Sequence, residues 1–192
     1  MNKIKREGSV FAVKHFPWKK YNPATPRTEV TLGYDDGGFT VHFVSYESNL
    51  RAVQTQHNTL VCQDSCMEIF MQFAPASDPR YINIEINPNG AAYCAVNFCR
   101  ESSELIPPNE IDGLDIKTAV FDDRWEIDYY IPAEWISRLI PDYRHERGAT
   151  VRGNFYKCGD LTDHEHYGCF HPIEWAHPDF HRPEFFAEFV LI

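Results

Sequence analysis

The chain repeatedly places apolar side chains at every second position. Phe39, Val41 and Phe43 alternate with Thr40 and His42, and Met67, Ile69, Met71 and Phe73 alternate with Glu68, Phe70 and Gln72. Residues Tyr81 to Asn87 carry the clearest pattern, with Ile82, Ile84 and Ile86 facing one way and Tyr81, Asn83, Glu85 and Asn87 the other. A period of two predicts strands with one face turned to a core. Asn89-Gly90 then supplies turn chemistry for a hairpin into a strand over Ala92 to Phe98. Trp125, Ile127, Tyr129 and Ile131 repeat the alternation, and Pro132 can open a short helix through Ala133, Glu134, Trp135 and Ile136. Glu29 to Leu32, Thr150 to Lys157 and Phe186 to Ile192 complete a set of about eight strands with one short helix. That pattern predicts an all-β fold, an antiparallel β-sandwich of jelly-roll type, and argues against a doubly wound sheet.

With 192 residues the chain fits one domain, residues 1–192, with residues 1–27 as an N-terminal extension packed on it. Twenty-eight acidic residues against 18 Lys and Arg give a formal charge of -10, which argues against a nucleic-acid partner, because phosphate binding needs clustered cations. No apolar run reaches membrane length, and the N-terminus lacks the apolar stretch of a signal peptide. The expectation is a soluble protein, cytoplasmic by default, in which the six cysteines are reduced thiols. Cys62 and Cys66 have the spacing of half a zinc site, but no second pair of similar spacing follows.

Three features could carry chemistry. Asp64, Glu68 and Glu85 offer the paired carboxylates that glycoside hydrolysis uses, although chance pairs are expected among 28 acidic residues. The C-terminal block contains His164, His166, His171, His177 and His181, five of the nine histidines, without any established metal-ligand spacing. A nucleophilic pair of one of these with Cys158 or Cys169 lacks a supporting strand-turn-helix context. Tyr167, Phe170, Trp175 and Phe180 lie in proline-rich loop sequence and could form an aromatic platform bordered by polar groups, an arrangement that suits the apolar C–H faces and hydroxyl rims of sugars.

An ordered set of motifs carries a family resemblance. VCQDSCMEIF at Val61 to Phe70, YINIEINPNG at Tyr81 to Gly90, WEIDYYIP at Trp125 to Pro132, NFYKCGD at Asn154 to Asp160 and the ending PDFHRPEFFAEFVLI resemble the family 9 carbohydrate-binding modules, most closely their free-standing family 9-like branch. The resemblance covers Thr28 to the C-terminus. It implies a β-sandwich that binds a mono- or oligosaccharide without catalysis, often beside a glycan-degrading enzyme partner, and with Ca2+ in some members as a structural ion. It points to Glu68, and to Asn83 or Glu85, as hydroxyl partners, to Phe180 at the place of a stacking tryptophan, and to His177 near a helping amide. The second tryptophan of the family's clamp falls at Val61, which offers no ring, so Trp175 or Tyr167 would have to stand in. Asp35 and Asp36, before Gly37-Gly38, are the turn carboxylates nearest to a calcium pattern.

The leading expectation is therefore non-catalytic sugar binding through Phe180, Glu68, Asn83, Glu85, His177 and Trp175. A small glycoside hydrolase built on two of Glu68, Glu85 and Asp64 is one alternative. An interaction module that has kept the fold and lost the sugar is another, favoured if Phe180 packs into the core.

Overall fold

The computed structural model describes residues 1–192. Thirteen strands form two sheets. The small sheet is β2 (Ser9–Val13), β3 (Arg27–Tyr34), β4 (Gly38–Tyr46), β10 (Trp125–Pro132) and β9 (Lys117–Val120), hydrogen-bonded in that order. The large sheet runs β1 (Asn2–Ile4), β13 (Ala187–Leu191), β11 (Thr150–Cys158), β5 (Cys66–Gln72), β6 (Tyr81–Ile86), β7 (Ala92–Cys99) and β8 (Ser102–Leu105). β12 (Tyr167–Cys169) pairs with the end of β11 that β13 leaves free. All pairings are antiparallel except β1 with β13.

The alternation read from the sequence decides what lies between the sheets. Met67, Ile69 and Met71 of β5 and Ile82, Ile84 and Ile86 of β6 join Val41, Phe43, Trp125 and Ile127 of the small sheet in one buried core. Each such side chain, fully removed from water, contributes roughly 1.5–3 kcal/mol before entropy is subtracted. The β6–β7 connection turns at Asn87, whose Oδ1 accepts the N–H groups of Asn89 and Ala91, and Gly90 takes the positive φ of 76° that the turn demands.

Five strands, β1, β2, β8, β9 and β12, were not in the strand pattern, and neither were a second helix and the burial of the outer face. Residues 1–27 do more than pack on the sandwich, because they supply β1 and β2 to its two sheets. A second short helix, α1 (Pro108–Ile111), precedes α2 (Ala133–Leu139), which follows Pro132 as expected. Finally, β5 and β6 are buried on both faces, so Glu68, Phe70, Tyr81, Asn83 and Glu85 do not meet bulk solvent. The cover on that outer face is a second apolar cluster including Trp18, Val61, Phe70, Tyr81, Tyr156, Phe180 and Phe186. The segment before β3, the turn before β5 and the C-terminal loop contribute its covering side chains, and Phe70, Tyr81 and Tyr156 rise to meet them from the sheet. Trp18 ties the two together by donating its indole N–H to the Trp175 carbonyl at 2.8 Å.

Candidate functional site

Strand register sets a row of four side chains across the outer face of the large sheet. Tyr156 of β11 faces Glu68 of β5, Glu68 faces Glu85 of β6, and Glu85 faces Tyr93 of β7. A cleft of about 440 Å3 opens over this row, with Glu68, Phe70, Glu85 and Cys158 in its floor. Its walls come from Leu60 and Cys62 before β5, from Asp160 and Tyr167 after β11, and from Pro178 to His181 of the C-terminal loop, with Arg100 at the tip of the β7–β8 hairpin.

Polar contacts hold these walls in place. Asp179 accepts a hydrogen bond from Arg100 Nε at 3.0 Å and forms an ion pair with the Arg182 guanidinium at 2.8 Å, joining the hairpin to the C-terminal loop. His181 Nδ1 lies 2.8 Å from the Tyr81 hydroxyl. Burial, with the nearby Arg100 charge, lowers the His181 pKa to about 4, so the imidazole is neutral and shares one hydrogen bond with the Tyr81 hydroxyl.

The floor is acidic and dry. Asn83 Nδ2 donates to Glu85 Oε1 at 2.7 Å, and Asn97 Nδ2 donates to Asn83 Oδ1 at 2.7 Å, which fixes the Glu85 carboxyl from behind. Cys158 Sγ donates to Glu68 Oε1 at 2.9 Å. Burial, then the repulsion of Glu85, pushes Glu68 well above the usual carboxylate range. Burial is also the main cause that raises Glu85 to about 7, against the Asn83 hydrogen bond, and that raises Asp160 to about 6. Both carboxyls are held above the ordinary carboxylate range, and a carboxyl donates when protonated and accepts when ionised, so the floor offers both functions to a bound hydroxyl.

Of the residues singled out from the sequence, the structure brings Glu68, Glu85 and Phe180 to the cleft. Asn83, two residues before Glu85 on the same face of β6, is fully buried outside the cleft lining and supports Glu85. Phe180 is no free-standing platform. Only 9% of it is exposed, and one face stacks on Tyr156 with centroids 4.1 Å apart. It belongs to the outer-face cluster and not to the core between the sheets.

Trp175 and His177 lie on the exposed stretch of the C-terminal loop, outside the cleft lining. The Trp175 ring is covered by the Arg182 guanidinium at 3.5 Å, and its carbonyl is taken by Trp18. Tyr167 does line the cleft, edge-on to Phe180 with centroids 6.2 Å apart. Asp160 and Arg100 were missed because nothing in their spacing separates them from ordinary loop residues, and His181 was singled out only as one of the C-terminal histidines that could hold a metal.

The other candidates are committed elsewhere. Asp64 is fully buried and accepts the N–H groups of Val53 and Gln54 and the Asn87 amide, which removes it from any carboxylate pair. The histidines do not converge: His166 accepts from Lys157 Nζ at 2.7 Å, His171 is bonded to the Phe185 carbonyl, and His181 to Tyr81. Asp35 Oδ1 accepts from the Gly37 and Gly38 amides and the Tyr130 hydroxyl, and Asp36 pairs with Arg6. A turn so filled by donors does not fit Ca2+, which needs six or more converging oxygens.

This sandwich, with its cleft on the covered outer face of the larger sheet, belongs to a family of binding modules. Residues 4–191 match the family model described as carbohydrate-binding family 9, and the chain belongs to that family. It is similar to a proposed carbohydrate-binding protein from Bacteroides uniformis, with a TM-score of 0.82 and 26% identity over 97% of this chain and 87% of that one. Two structures of a family 9 module from Caldicellulosiruptor kristjanssonii share the fold. The glucose complex has a TM-score of 0.65 and 13% identity over 99% of this chain and 94% of that one. The cellotriose complex has a TM-score of 0.63 and 14% identity over 99% and 92%. A search among curated proteins found no match. No helix of the chain is long and apolar enough to cross a membrane.

Proposed function

We propose that the chain binds a mono- or oligosaccharide, without catalysis, in the cleft above Glu68 and Glu85. The observation that carries this reading is the pairing of Glu68 with Glu85 across neighbouring strands in the floor of a cleft, with Asn83 bonded to Glu85 and Phe180 and Tyr167 in the walls. Sugar hydroxyls need donors and acceptors at fixed places, and this pair supplies both from rigid strands. The volume falls within the range of about 300–1,000 Å3 typical of small-molecule sites. Family membership and the sugar complexes of the Caldicellulosiruptor relative support the ligand class.

The geometry favours binding over hydrolysis. A glycosidase places its two carboxyls on either side of the scissile bond, with separations of about 5 Å or more. Glu68 and Glu85 stand side by side on neighbouring strands of one sheet, so a sugar would lie on top of both. The role that follows is support of glycan degradation, holding a saccharide for a partner enzyme. Calorimetric titration with glucose, cellobiose and cellotriose tests the proposal. Binding at up to millimolar Kd that is lost on filling the cleft supports it, and folded protein that binds no saccharide at those concentrations refutes it.

A further inference from the structure

Cys158 in the floor of the cleft and Cys66 beside it on the next strand are thiols that the sugar reading does not use. Cys66 of β5 and Cys158 of β11 are direct cross-strand partners on the outer face, 92 residues apart in sequence and both shut off from solvent. With the Glu68 carboxylate they form a group in which the two Sγ atoms and a carboxylate oxygen all lie within 4.8 Å of one another. The spacing of Cys62 and Cys66 suggested half of a metal site. In the fold, Cys66 finds its partner across the sheet instead.

We propose that Cys66, Glu68 and Cys158 form a binding site for a thiophilic divalent ion of the Zn2+ class, with a fourth position open to the cleft. Zinc takes thiolates at about 2.3 Å and carboxylate oxygens at about 2.0–2.2 Å, so ligand atoms around a tetrahedral ion lie roughly 3.5–3.8 Å apart. The three groups, all within 4.8 Å of one another, need shifts of about an ångström to reach that spacing. The Cys158 thiol and Glu68 Oε1, now 2.9 Å apart across a shared proton, need to part by less than an ångström when the ion replaces that proton. Glu68 and Cys158 themselves line the cleft, which gives the ion a path in, and Cys62 and Asp160 line it beside them.

The electrostatics run the same way. Burial raises Cys158 and Glu68 well above their ordinary values and Cys66 to about 12, and the Lys157 charge offsets this only in part at Glu68 and Cys66. A divalent ion relieves that burden by replacing the protons, so uptake must release them. The site would pin β5 to β11 at the cleft floor and leave its free position facing any bound ligand.

The inference does not depend on sugar binding, and one set of samples separates the two. Full-length protein, reduced and stripped of metal with a chelator, is titrated with Co2+ and then Zn2+. One equivalent of Co2+ should give thiolate-to-cobalt charge-transfer bands and the visible bands of tetrahedral cobalt, with proton release, and Zn2+ should displace it. Cys66→Ser and Cys158→Ser should each cut the charge-transfer intensity by half or more, whereas Cys99→Ser, at an exposed thiol outside the site, should leave the spectrum unchanged. If a serine variant fails to fold, Glu68→Gln keeps both thiols and should weaken Zn2+ binding roughly tenfold or more.

Folded, fully reduced protein without charge-transfer bands overturns the site, as does a spectrum that both serine variants leave intact or a Zn2+ affinity that Glu68→Gln does not change. Calorimetry with cellotriose on the same samples, with and without chelator, reads the sugar proposal separately. Sugar binding without metal uptake refutes the ion site alone, and metal uptake without sugar binding refutes the sugar reading alone.

Discussion

Phe180 lies flat on Tyr156, with ring centroids 4.1 Å apart and planes 8° from parallel, and the Tyr156 hydroxyl donates to the Phe180 carbonyl at 3.2 Å. One aromatic pair thus closes the C-terminal loop onto the large sheet and forms one wall of the cleft. Phe180→Ala should lower stability by about 3–5 kcal/mol, the usual result of emptying a buried phenylalanine site, and weaken sugar binding together with it. Trp175→Ala is the matching control. It removes an exposed ring and one cation–π contact, so thermal unfolding should change by the equivalent of roughly 1 kcal/mol or less and sugar affinity should not change.

Glu85 should matter to binding more than to folding. Glu85→Gln keeps the size of the side chain and removes the charge, and the amide oxygen can still accept from Asn83. Loss of a charged hydrogen-bonding partner for a hydroxyl costs about 1.5–3 kcal/mol, or roughly ten- to a hundredfold in Kd. Calorimetry beside thermal unfolding checks this: weaker binding with little change in Tm is expected, and unchanged binding would move the ligand away from the floor.

Trp18 holds the segment before β3 against the C-terminal loop through the Trp175 carbonyl and through contact with Phe180. Trp18→Phe keeps most of the packing and leaves the carbonyl without its donor, so a loss of about 1 kcal/mol is expected. Hydrogen exchange should speed up selectively in residues 160–186, the stretch that this contact covers. Exchange that rises evenly over both sheets would contradict the assignment.

Acid should act through two neutral histidines. Burial, reinforced by Lys157 at His166 and by Arg100 at His181, holds both pKa values at about 4. The unfolded chain takes up these protons near pH 6.5, before the folded chain does. Stability from each site is therefore complete above about pH 6.5 and is lost as pH falls towards 4, by about 1.4 kcal/mol per pH unit and proton. Glu85 and Asp160, held at about 7 and about 6, act in the opposite sense over much of this window, so the wild-type profile is shallow. The readable quantity is the difference between variant and wild type. In urea unfolding, His166→Gln or His181→Gln should gain relative to wild type on going from about pH 7 to about pH 5, and a constant difference would count against it.

The sandwich was legible because period-two alternation is imposed by the core between the sheets, and Ile82, Ile84 and Ile86 could hardly be read otherwise. The outer face was harder. Glu68 and Glu85 mark a solvent face by pattern, yet the C-terminal loop and the segment before β3 cover them, and only tertiary packing reveals that. β1 and β2 escaped notice because a three-residue and a five-residue strand carry too little pattern.

Within the site, motif resemblance reached Glu68, Glu85 and Phe180, which sit on strands or against them. His177, named by the resemblance, and Trp175, named as a stand-in ring, lie outside the cleft lining, because a loop without regular structure gives no rule for which way a side chain points. The partnership of Cys66 with Cys158 was invisible for a different reason: register between β5 and β11 is set by neither segment alone.

The most direct measurement is a crystal structure of the protein soaked with cellotriose at saturating concentration. The account predicts a sugar ring in the cleft, with hydroxyls within hydrogen-bonding distance of Glu68 or Glu85 and a ring face or edge against Phe180 or Tyr167. Sugar bound elsewhere, with the cleft empty at the same concentration, would contradict it.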